Sequence, residues 1–381
     1  MAKRKRVGII FSYQEKWVAG AYYVLNLVHA LNALPDDEKP HIVGCIENDK
    51  DRQHLLGTQY PYLSFANVNQ PRAFPIRLLN KLLKAFSGKD HFPYGLNPAL
   101  AEGFFPFVLR PEVARIPFEK QIHWIPDFQD NRMPEFFPAD ELDLRKKRNG
   151  GIAESPVRVV FSSKDAEKDF RQFYPQQKTR NFVAHFAVTH PPIASIDADA
   201  IRKKFNLPDR WFLAPNQFWK HKNQPLIIKA VARLKEKGIK VNVLFTGKED
   251  DFRNPGYAEG VKKMARDLDV QEECRFLGFI DRAEQIWLMQ HADAVIQASL
   301  FEGWSTVVED AKALQKPVIL SDLPVHREQL QQGVLFFDPL QADSLAQAIL
   351  MFRENKTPSP PGDYQEMVKE FGRNFMAVMN A

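Results

Sequence analysis

The chain has 381 residues, 44% of them hydrophobic and 26% charged, and these values argue for an ordinary globular protein of two domains and against a fibrous or disordered chain. The formal net charge of +5 is too small for a dedicated nucleic-acid-binding surface, and no stretch approaches the roughly 20 apolar residues of a membrane span. Cys45 and Cys274 match no disulfide or metal pattern and fit a reducing cytoplasm.

The first half alternates short apolar runs with segments long enough to carry crossover helices. A predicted strand over 6–12 is followed by a turn at Gly20 and by a helix over 21–34, in which apolar residues recur at helical spacing. Further strands are predicted at 41–46, 121–125, 157–162 and 181–186. This alternation predicts a parallel α/β sheet.

A polar, proline-rich segment over 189–197 sustains neither helix nor strand and predicts a linker. We therefore divide the chain into a first domain of residues 1–190 and a second of residues 191–360. The second domain has strands predicted at 211–214, 241–246, 275–277, 294–298 and 317–320, and helices at 225–236, 257–268, 283–290, 306–314 and 343–352. Residues 361–381 form a predicted amphipathic helix, which we expect to pack back on the first domain, with Met367, Phe371, Phe375 and Met379 on one face.

The loop after the strand at 294–298 carries the strongest chemical signal. Ligands of open α/β sheets lie at the carboxyl ends of the strands. Gly303 allows a ligand to approach the backbone. The helix that begins near Ser305 or Thr306 presents free N–H groups and a positive dipole end to an anion. We therefore expect a diphosphate to fit this loop.

Two carboxylates, Glu302 and Glu309, frame the start of that helix. They lie up to roughly 10 Å apart along the chain, so they are able to hold two parts of one elongated ligand. This is wider than the carboxylate pair of a retaining glycosidase, which needs about 5 Å. Alternatively, Glu309 only completes a capping box over 306–309, and Glu302 is a solvated loop acid.

The same segment resembles a known family. Glu302 and Glu309 resemble the E-x7-E signature of retaining glycosyltransferases with the GT-B fold, and residues 311–322, followed by Glu328, resemble that superfamily's EAmacGtPVIasD…E segment. The similarity is to glycosyltransferase family 4, also called group 1, which is typical of bacterial polysaccharide and lipopolysaccharide synthesis. It extends over most of residues 205–340.

This resemblance implies an α/β architecture of two Rossmann-like, doubly wound parallel-sheet domains that face a cleft. The second domain would hold most of a nucleotide-sugar donor. Glu302 would contact the sugar hydroxyls, Glu309 the ribose, and four backbone amides the sugar or phosphates, those of Gly303, Trp304, Ser305 and Thr306. No metal or other cofactor is implied, because a helix terminus and basic side chains offset the charge of the diphosphate.

The loop over 216–223 resembles the family's G-R-x-x-x-x-K-G/N loop. Lys222 falls on the family's lysine and would neutralise the leaving diphosphate, which makes it a candidate catalytic residue together with Glu302. The family's arginine is missing, and Gln217 and Lys220 lie near its place. The plain alternative for this K-x-K segment is a solvated loop.

Two further segments predict contacts with the donor. Residues 275–280 resemble the family's V-x-F-x-G strand, whose following loop holds the nucleobase, so Phe279 and Ile280 are candidates for that contact. Residues 17–21 occupy the place of the family's Gly-Gly loop, where Gly20 would approach the donor although only one glycine of the pair is present.

The segment 121–128 resembles the strand end that carries the family's His-Asp pair. Asp127 matches the aspartate and would orient or deprotonate the acceptor hydroxyl, or it would merely end the strand. Pro126 stands at the histidine position. His123 does not replace that histidine, because it lies roughly 10 Å upstream on the opposite face of the strand.

The resemblance therefore predicts a retaining glycosyltransferase that moves a hexose-type unit, of the mannose or glucose class, from a nucleotide-diphosphate sugar. The acceptor would be a hydroxyl of a glycan or lipid-linked acceptor in cell-envelope polysaccharide synthesis. The alternatives are a non-catalytic nucleotide-sugar-binding partner subunit and a nucleotide-sugar epimerase on the same fold. A dinucleotide oxidoreductase is disfavoured because the chain has no G-x-G-x-x-G.

We expect a cytoplasmic protein, with no nucleic-acid partner, that makes peripheral contact with the anionic inner face of the membrane. The basic start Lys3–Arg6 and the aromatic-rich region over 74–137 are the predicted docking surface for that membrane or for the acceptor. The plain alternative is a solvated charged face and a loop-rich core.

Overall fold

The structure is a computed structural model that describes residues 4–13, 18–68, 95–110, 113–190, 196–251, 253–354 and 362–381, together with positions 79, 81 and 83. Most of the predicted linker (191–195), as well as Lys3, Trp17 and most of 69–94, lies outside the described residues. Within the described residues every strand pair is parallel, which confirms the predicted α/β class.

The first half builds two small sheets that meet edge to edge. Its strands are β1 Arg6–Ile10, β2 His41–Ile46, β3 Leu63–Asn67, β4 Gly103–Phe105, β5 Ile122–Ile125, β6 Arg158–Phe161 and β7 Arg180–Val183. Its α-helices are α1 Val18–Asn32, α2 Asp49–Leu56, α3 Gln129–Arg132, α4 Ala139–Ala153 and α5 Lys164–Phe173. The strand orders are β3-β2-β1-β4 and β5-β6-β7, and a bridge between Phe104 and Gln121 joins the two sheets.

Strands β3 and β4 were not predicted from the sequence. Strand β3 is a half-buried edge strand, so its sequence LSFAN carries little apolar signal. Strand β4 has only three residues, too few to show a periodicity. The single doubly wound sheet expected for this half is therefore divided into a four-stranded and a three-stranded sheet.

The second half builds a six-stranded sheet. Its strands are β8 Phe212–Pro215, β9 Val243–Thr246, β10 Cys274–Phe276, β11 Val295–Gln297, β12 Val318–Ser321 and β13 Val334–Phe337. Its helices are α6 Ala198–Lys204, α7 Gln224–Glu236, α8 Tyr257–Asp267, α9 Arg282–His291, α10 Thr306–Ala313, α11 Pro324–Gln329, α12 Ala342–Arg353 and α13 Tyr364–Asn380. Strand β13 and helices α6 and α11 were not predicted.

The strand order of the second sheet is β10-β9-β8-β11-β12-β13. This is a doubly wound order: strands β9 and β10 are added on one side of β8, and strands β11 to β13 are added on the other side. The reversal leaves a crevice outside the carboxyl ends of β8 and β11. Because ligands of open α/β sheets bind at such a switch point, the topology directs attention to the two loops that follow these strands.

The C-terminal helix α13 packs against helix α1 of the first half. Gly372 lies so close to α1 that an added Cβ would be 2.8 Å from the carbonyl oxygen of Ala30. Phe371 and Phe375 are fully buried, and Phe375 packs edge-on against Phe105 at 5.0 Å between ring centroids. Met367, expected on the buried face, is instead exposed; the buried stripe runs through Tyr364, Val368, Phe371, Phe375, Val378 and Met379.

Part of the predicted docking surface is committed to contacts within the chain. Arg4 pairs with Asp36 at 2.6 Å, and Lys5 donates to Asn380 Oδ1 at 2.6 Å. Of the aromatic residues described between 74 and 137, most are core, and Phe104, Phe105 and Phe128 are fully buried. Among the described residues, no helix has the length and apolar character needed to cross a membrane.

Candidate active site

A cavity of about 290 Å³ lies at the switch point of the second sheet, between the two halves of the chain. The second half contributes the loops after β8 and β11 and the first turn of α10. The first half contributes Ala19 and Tyr23 of α1 and the end of β5. Eight of the predicted site residues line this cavity: Asp127, Gln217, Lys222, Glu302, Gly303, Trp304, Ser305 and Thr306.

A buried ion pair stands on the second-half side of the cavity. The Lys222 ammonium lies 2.6 Å from Glu302 Oε1, and their side chains are 16% and 9% exposed. Gln297 Nε2 and the Ser299 hydroxyl donate to the same oxygen at 2.7 and 2.6 Å. Because all three hydrogen bonds fall on Oε1, Oε2 of Glu302 has no hydrogen-bond partner among the described residues and stays available to a ligand.

This environment keeps Glu302 ionised. Burial is the largest influence and opposes ionisation, but the charge and hydrogen bond of Lys222, together with the nearby His221 and His326, outweigh it and lower the pKa of Glu302 to about 2. Burial also lowers the pKa of His221, which lines the cavity, to about 3, and it lowers the pKa of the fully buried His326. At pH 7 both imidazoles are therefore neutral, and the pair is a carboxylate beside an ammonium.

Sequence reasoning missed the two side chains that hold Glu302. Gln297 and Ser299 are fully buried, and Asn216 donates to Gln297 Oε1 at 2.7 Å, which fixes the orientation of the glutamine amide. The signal was present in the sequence, since Gln297 is a polar residue inside the otherwise apolar run of strand β11. A buried polar residue of this kind needs a partner.

Gly303 is a point of close approach between the two halves. A Cβ at this position would lie 2.5 Å from the carbonyl oxygen of Pro126 and 2.7 Å from Cβ of Asp127. The prediction assigned the small size of Gly303 to a ligand, whereas its nearest neighbour is the end of strand β5. This contact brings Asp127 to the cavity, where burial raises the pKa of its carboxyl.

Trp304 joins the same interface. Its indole N–H donates to the carbonyl of Phe186 at 3.2 Å, and its ring stacks on His185 at 4.3 Å between centroids. Glu328 pairs with His185 at 2.6 Å and accepts the backbone N–H groups of Lys164 and Asp165 at the start of α5. Glu328, part of the segment that carries the family resemblance, thus holds the two halves together.

The start of helix α10 differs from the prediction in two respects. The helix begins at Thr306 as predicted, but its N-cap is Ser305, whose hydroxyl accepts the N–H of Val308, so the alternative capping box over 306–309 does not form. The backbone N–H of Ser305 donates to Gln329 Oε1 at 3.1 Å and is therefore not free for a donor phosphate. The amides of Gly303, Trp304 and Thr306 remain candidates.

Glu309 does not reach the cavity. It is 1% exposed, and both of its oxygens are occupied: Oε1 accepts from Lys312 Nζ at 2.9 Å and Gln329 Nε2 at 2.8 Å, and Oε2 accepts from the Tyr364 hydroxyl at 2.6 Å. The expected contact with a ribose thus has no free oxygen to make it. The reason is that residue 309 faces the C-terminal helix rather than the cavity.

The spacing in the sequence agrees with this placement. Six residues separate Glu302 from Glu309, and seven separate it from Asp310, so Asp310 stands at the second acidic position of an E-x7-E pattern. Asp310 is also occupied, since Arg282 donates to its two oxygens at 2.8 and 2.5 Å and His190 lies 3.0 Å from Oδ1.

Four other predicted residues lie away from the cavity. Gly20 lines a separate cavity of about 150 Å³ in the first half, divided from the site by Trp124. The Lys220 ammonium lies over the ring of Phe136 at 5.3 Å. Phe279 is 71% exposed, and Ile280 packs against the core under β11 and β12.

Among the residues that the structure describes, no group of three or more His, Cys, Asp or Glu side chains is arranged to hold a metal ion. Cys45 and Cys274 are both buried and unpaired. Among the described residues that line the cavity, the lysine and acidic side chains are Lys222, Glu302 and Asp127.

Comparisons with known proteins show similarity to glycosyltransferases. Residues 197–375 match the family described as "Glycosyl transferases group 1". The match includes Lys222 and Glu302 and both loops at the switch point. A segment of 152 residues is 31% identical to the O-antigen chain mannosyltransferase RfbU of Salmonella typhimurium, and it spans 40% of this chain and 40% of that relative.

Solved structures resemble the whole chain. A glycosyltransferase from Rickettsia africae matches 100% of this chain and 94% of its own, with a TM-score of 0.61 and 14% identity. Anabaena HepE, solved in complex with UDP and glucose, matches 99% of this chain and 95% of its own, with a TM-score of 0.58 and 15% identity. These likenesses establish the GT-B fold.

Proposed function

We propose that the chain is a retaining glycosyltransferase, and the match of residues 197–375 to the glycosyl transferases group 1 family supports this proposal. It moves a hexose-type unit, of the mannose or glucose class, from a nucleotide-diphosphate sugar to a hydroxyl of a glycan or lipid-linked acceptor in cell-envelope polysaccharide synthesis. The observation that carries the proposal is the buried Lys222–Glu302 pair, which presents one free carboxylate oxygen to a cavity at the switch point.

The pair divides the work of holding the donor. Oε2 of Glu302 accepts hydrogen bonds from hydroxyls of the donor sugar, while Oε1 stays fixed by Lys222, Gln297 and Ser299. Lys222 lies beside the carboxylate and lines the same cavity, so its charge stabilises the negative charge that grows on the leaving group. The amides of Gly303, Trp304 and Thr306 add hydrogen bonds at the start of α10.

The reaction proceeds on one face of the sugar. The acceptor oxygen bonds to the anomeric carbon as the bond from that carbon to the diphosphate oxygen breaks, and the departing phosphate oxygen takes the acceptor proton. Asp127 orients the acceptor hydroxyl from the first-half side of the cavity. No covalent enzyme intermediate forms and no metal is required, because Lys222 and the helix terminus supply the positive charge.

A second candidate function is a nucleotide-sugar-binding partner subunit without activity. Two observations favour it: Pro126 stands where the family has a histidine, and neither Glu309 nor Asp310 has a free oxygen for a ribose. Release of nucleotide from a donor distinguishes the two functions, since a binding subunit releases none.

The primary experiment is a thermal-shift screen of the chain against UDP, GDP, ADP, CMP and their common sugar conjugates, with and without EDTA. A ligand at 100 times its Kd stabilises the native state by about 2.7 kcal/mol. The proposal requires that one nucleotide-diphosphate family stabilises the protein equally in EDTA and that its sugar is then released or transferred. Stabilisation by none of them would reject the donor site, and stabilisation without release would favour the binding subunit.

We also propose a cytoplasmic location with peripheral contact at the anionic inner face of the membrane, supported by the net charge of +5. Arg4 and Lys5 are paired within the chain, so deletion of residues 2–6 is expected to leave co-sedimentation with anionic vesicles unchanged. Loss of co-sedimentation in that deletion would instead assign the contact to the basic start, and no binding by the intact chain would reject the membrane proposal.

A further inference from the structure

The side chain of Gln329 holds the loop whose backbone amides, those of Gly303, Trp304 and Thr306, are candidates for donor binding. Gln329, at the end of α11, makes two hydrogen bonds to the backbone of Ser305: its Oε1 accepts the N–H at 3.1 Å and its Nε2 donates to the carbonyl at 2.8 Å. Gln329 and Ser305 are 5% and 2% exposed. A planar amide that bonds both groups of one residue fixes the orientation of that residue's backbone.

Glu309 sets the orientation of the Gln329 amide. The oxygen and the nitrogen of a side-chain amide have nearly the same size and shape, so the hydrogen-bond partners around the amide decide which atom takes which position. Glu309 Oε1 accepts a hydrogen bond from Gln329 Nε2 at 2.8 Å. An ionised carboxylate only accepts, so a reversed amide would place two acceptors against each other and two donors at the N–H of Ser305.

The chain of hydrogen bonds continues to the C-terminal helix and the first half. The Tyr364 hydroxyl donates to Glu309 Oε2 at 2.6 Å and accepts the backbone N–H of Val188 at 2.9 Å. Tyr364 is 7% exposed, and its burial, reinforced by the nearby Glu309 charge, raises its pKa. The order Tyr364, Glu309, Gln329, Ser305 therefore links helix α13 to the start of α10.

We propose that Gln329 is a positioning residue for the donor site and that Glu309 and Tyr364 act through it. Gln329 holds Ser305 so that the neighbouring amides of Trp304 and Thr306 face the cavity beside Glu302. Helix α13 thus contributes to donor binding although none of its residues lines that cavity. The inference rests on the proposed donor site.

The test compares three variants of the full chain. Gln329→Met keeps the length and burial of the side chain and removes both hydrogen bonds to Ser305. Tyr364→Phe removes only the hydroxyl at the far end of the network. Tyr60→Phe is the matched control, because Tyr60 is 5% exposed and donates its hydroxyl to the carbonyl of Pro40 at 2.8 Å, which is not part of this network.

The first measurement needs no nucleotide. Hydrogen exchange of the peptide over 301–309 is expected to quicken at least tenfold in Gln329→Met and about threefold in Tyr364→Phe, and to be unchanged in Tyr60→Phe. Unchanged exchange in Gln329→Met would overturn the inference whatever the nucleotide assays give.

The second measurement is the Kd of the nucleoside diphosphate that stabilises the wild type, by calorimetry. We expect Gln329→Met to raise this Kd about tenfold, Tyr364→Phe about threefold, and the double variant no more than Gln329→Met alone, since both act on one path. A Kd within twofold of wild type in Gln329→Met would overturn the positioning role. If the wild type binds no nucleoside diphosphate, the proposed function fails, and the role of Gln329 in donor binding fails with it. The exchange result still decides whether Gln329 holds the backbone of Ser305.

Discussion

Two buried lysine–glutamate pairs flank Trp304, which lines a cavity on each side. Lys222 and Glu302 form the front pair at 2.6 Å, and Lys312 and Glu309 form the rear pair at 2.9 Å. The front carboxylate has three donors on one oxygen and a free second oxygen, whereas the rear carboxylate has donors on both.

The difference shows that burial and an ion pair do not by themselves mark a ligand site. The two glutamates lie seven positions apart on one loop and helix, and each is paired with a lysine. Unsatisfied bonding capacity that faces a cavity is what separates a binding group from a structural one. We therefore assign the front pair to the donor and the rear pair to the scaffold.

The largest expected effect lies at the front pair. Glu302→Gln removes the charge on the free oxygen and is expected to lower sugar transfer by about 100-fold or more, the range found when a transition-state contact is lost. Steady-state transfer rates check this. A folded Glu302→Gln variant whose transfer rate stays within threefold of the wild-type rate would contradict the assignment of the front pair to the donor.

The rear pair is expected to act on stability. Glu309→Gln leaves the ammonium of Lys312, which is 7% exposed, without its counter-charge, and it should lower the free energy of unfolding by about 3–5 kcal/mol. Urea denaturation measures this change. The control is Glu366→Gln on helix α13, where the carboxylate is 56% exposed and solvent screens its ion pairs, so a much smaller loss is expected. Equal losses in the two variants would contradict the scaffold role.

Gly303→Ala tests the contact that closes the front cavity. The new Cβ would meet backbone atoms of Pro126 that do not yield easily, so we expect a loss of about 1–3 kcal/mol in stability and weaker donor binding. Gly260→Ala is the control, because Gly260 lies in helix α8 with open space around its Cβ position and should be neutral or stabilised. Stability unchanged in Gly303→Ala would show that the two halves lie farther apart in solution.

The smallest effect is a pH dependence. The pKa of Glu302 is about 2 in the folded chain, below the value of about 4.3 in an unfolded chain, so its stabilising contribution is complete above about pH 4.3 and is lost as pH falls toward 2. Unfolding free energies between pH 3 and 4.5 should therefore depend less on pH in Glu302→Gln. An identical slope in the two proteins would contradict the ionised front pair.

Most strands and helices of the second half could be predicted from the sequence because their apolar patterns are regular, but strand β13 and helices α6 and α11 could not. The resemblance and the rule that ligands lie at strand ends predicted Lys222 and Glu302 as site residues, and both line the cavity at the switch point. Strand β4 could not be predicted because three residues show no periodicity. The division of the first half into two sheets was missed for the same reason, since β4 is the edge strand at which they meet.

Other features depend on contacts that no local pattern contains. Gln329 binds Ser305 across 24 positions, and Tyr364 reaches Glu309 across 55. The periodicity of an α-helix predicts on which side of α10 Glu309 lies. Only the tertiary fold shows that this side contacts helix α13 and not the cavity. The same holds for Gly303, whose neighbour belongs to the other half of the chain.

The most direct test of the account compares the affinities of a nucleotide sugar and of its nucleoside diphosphate in wild type, Glu302→Gln and Glu309→Gln. The account predicts that the sugar strengthens binding to the wild type and to Glu309→Gln, and that it adds nothing to Glu302→Gln. The opposite result would contradict the account: a sugar that strengthens binding to Glu302→Gln but adds nothing to the affinity of Glu309→Gln.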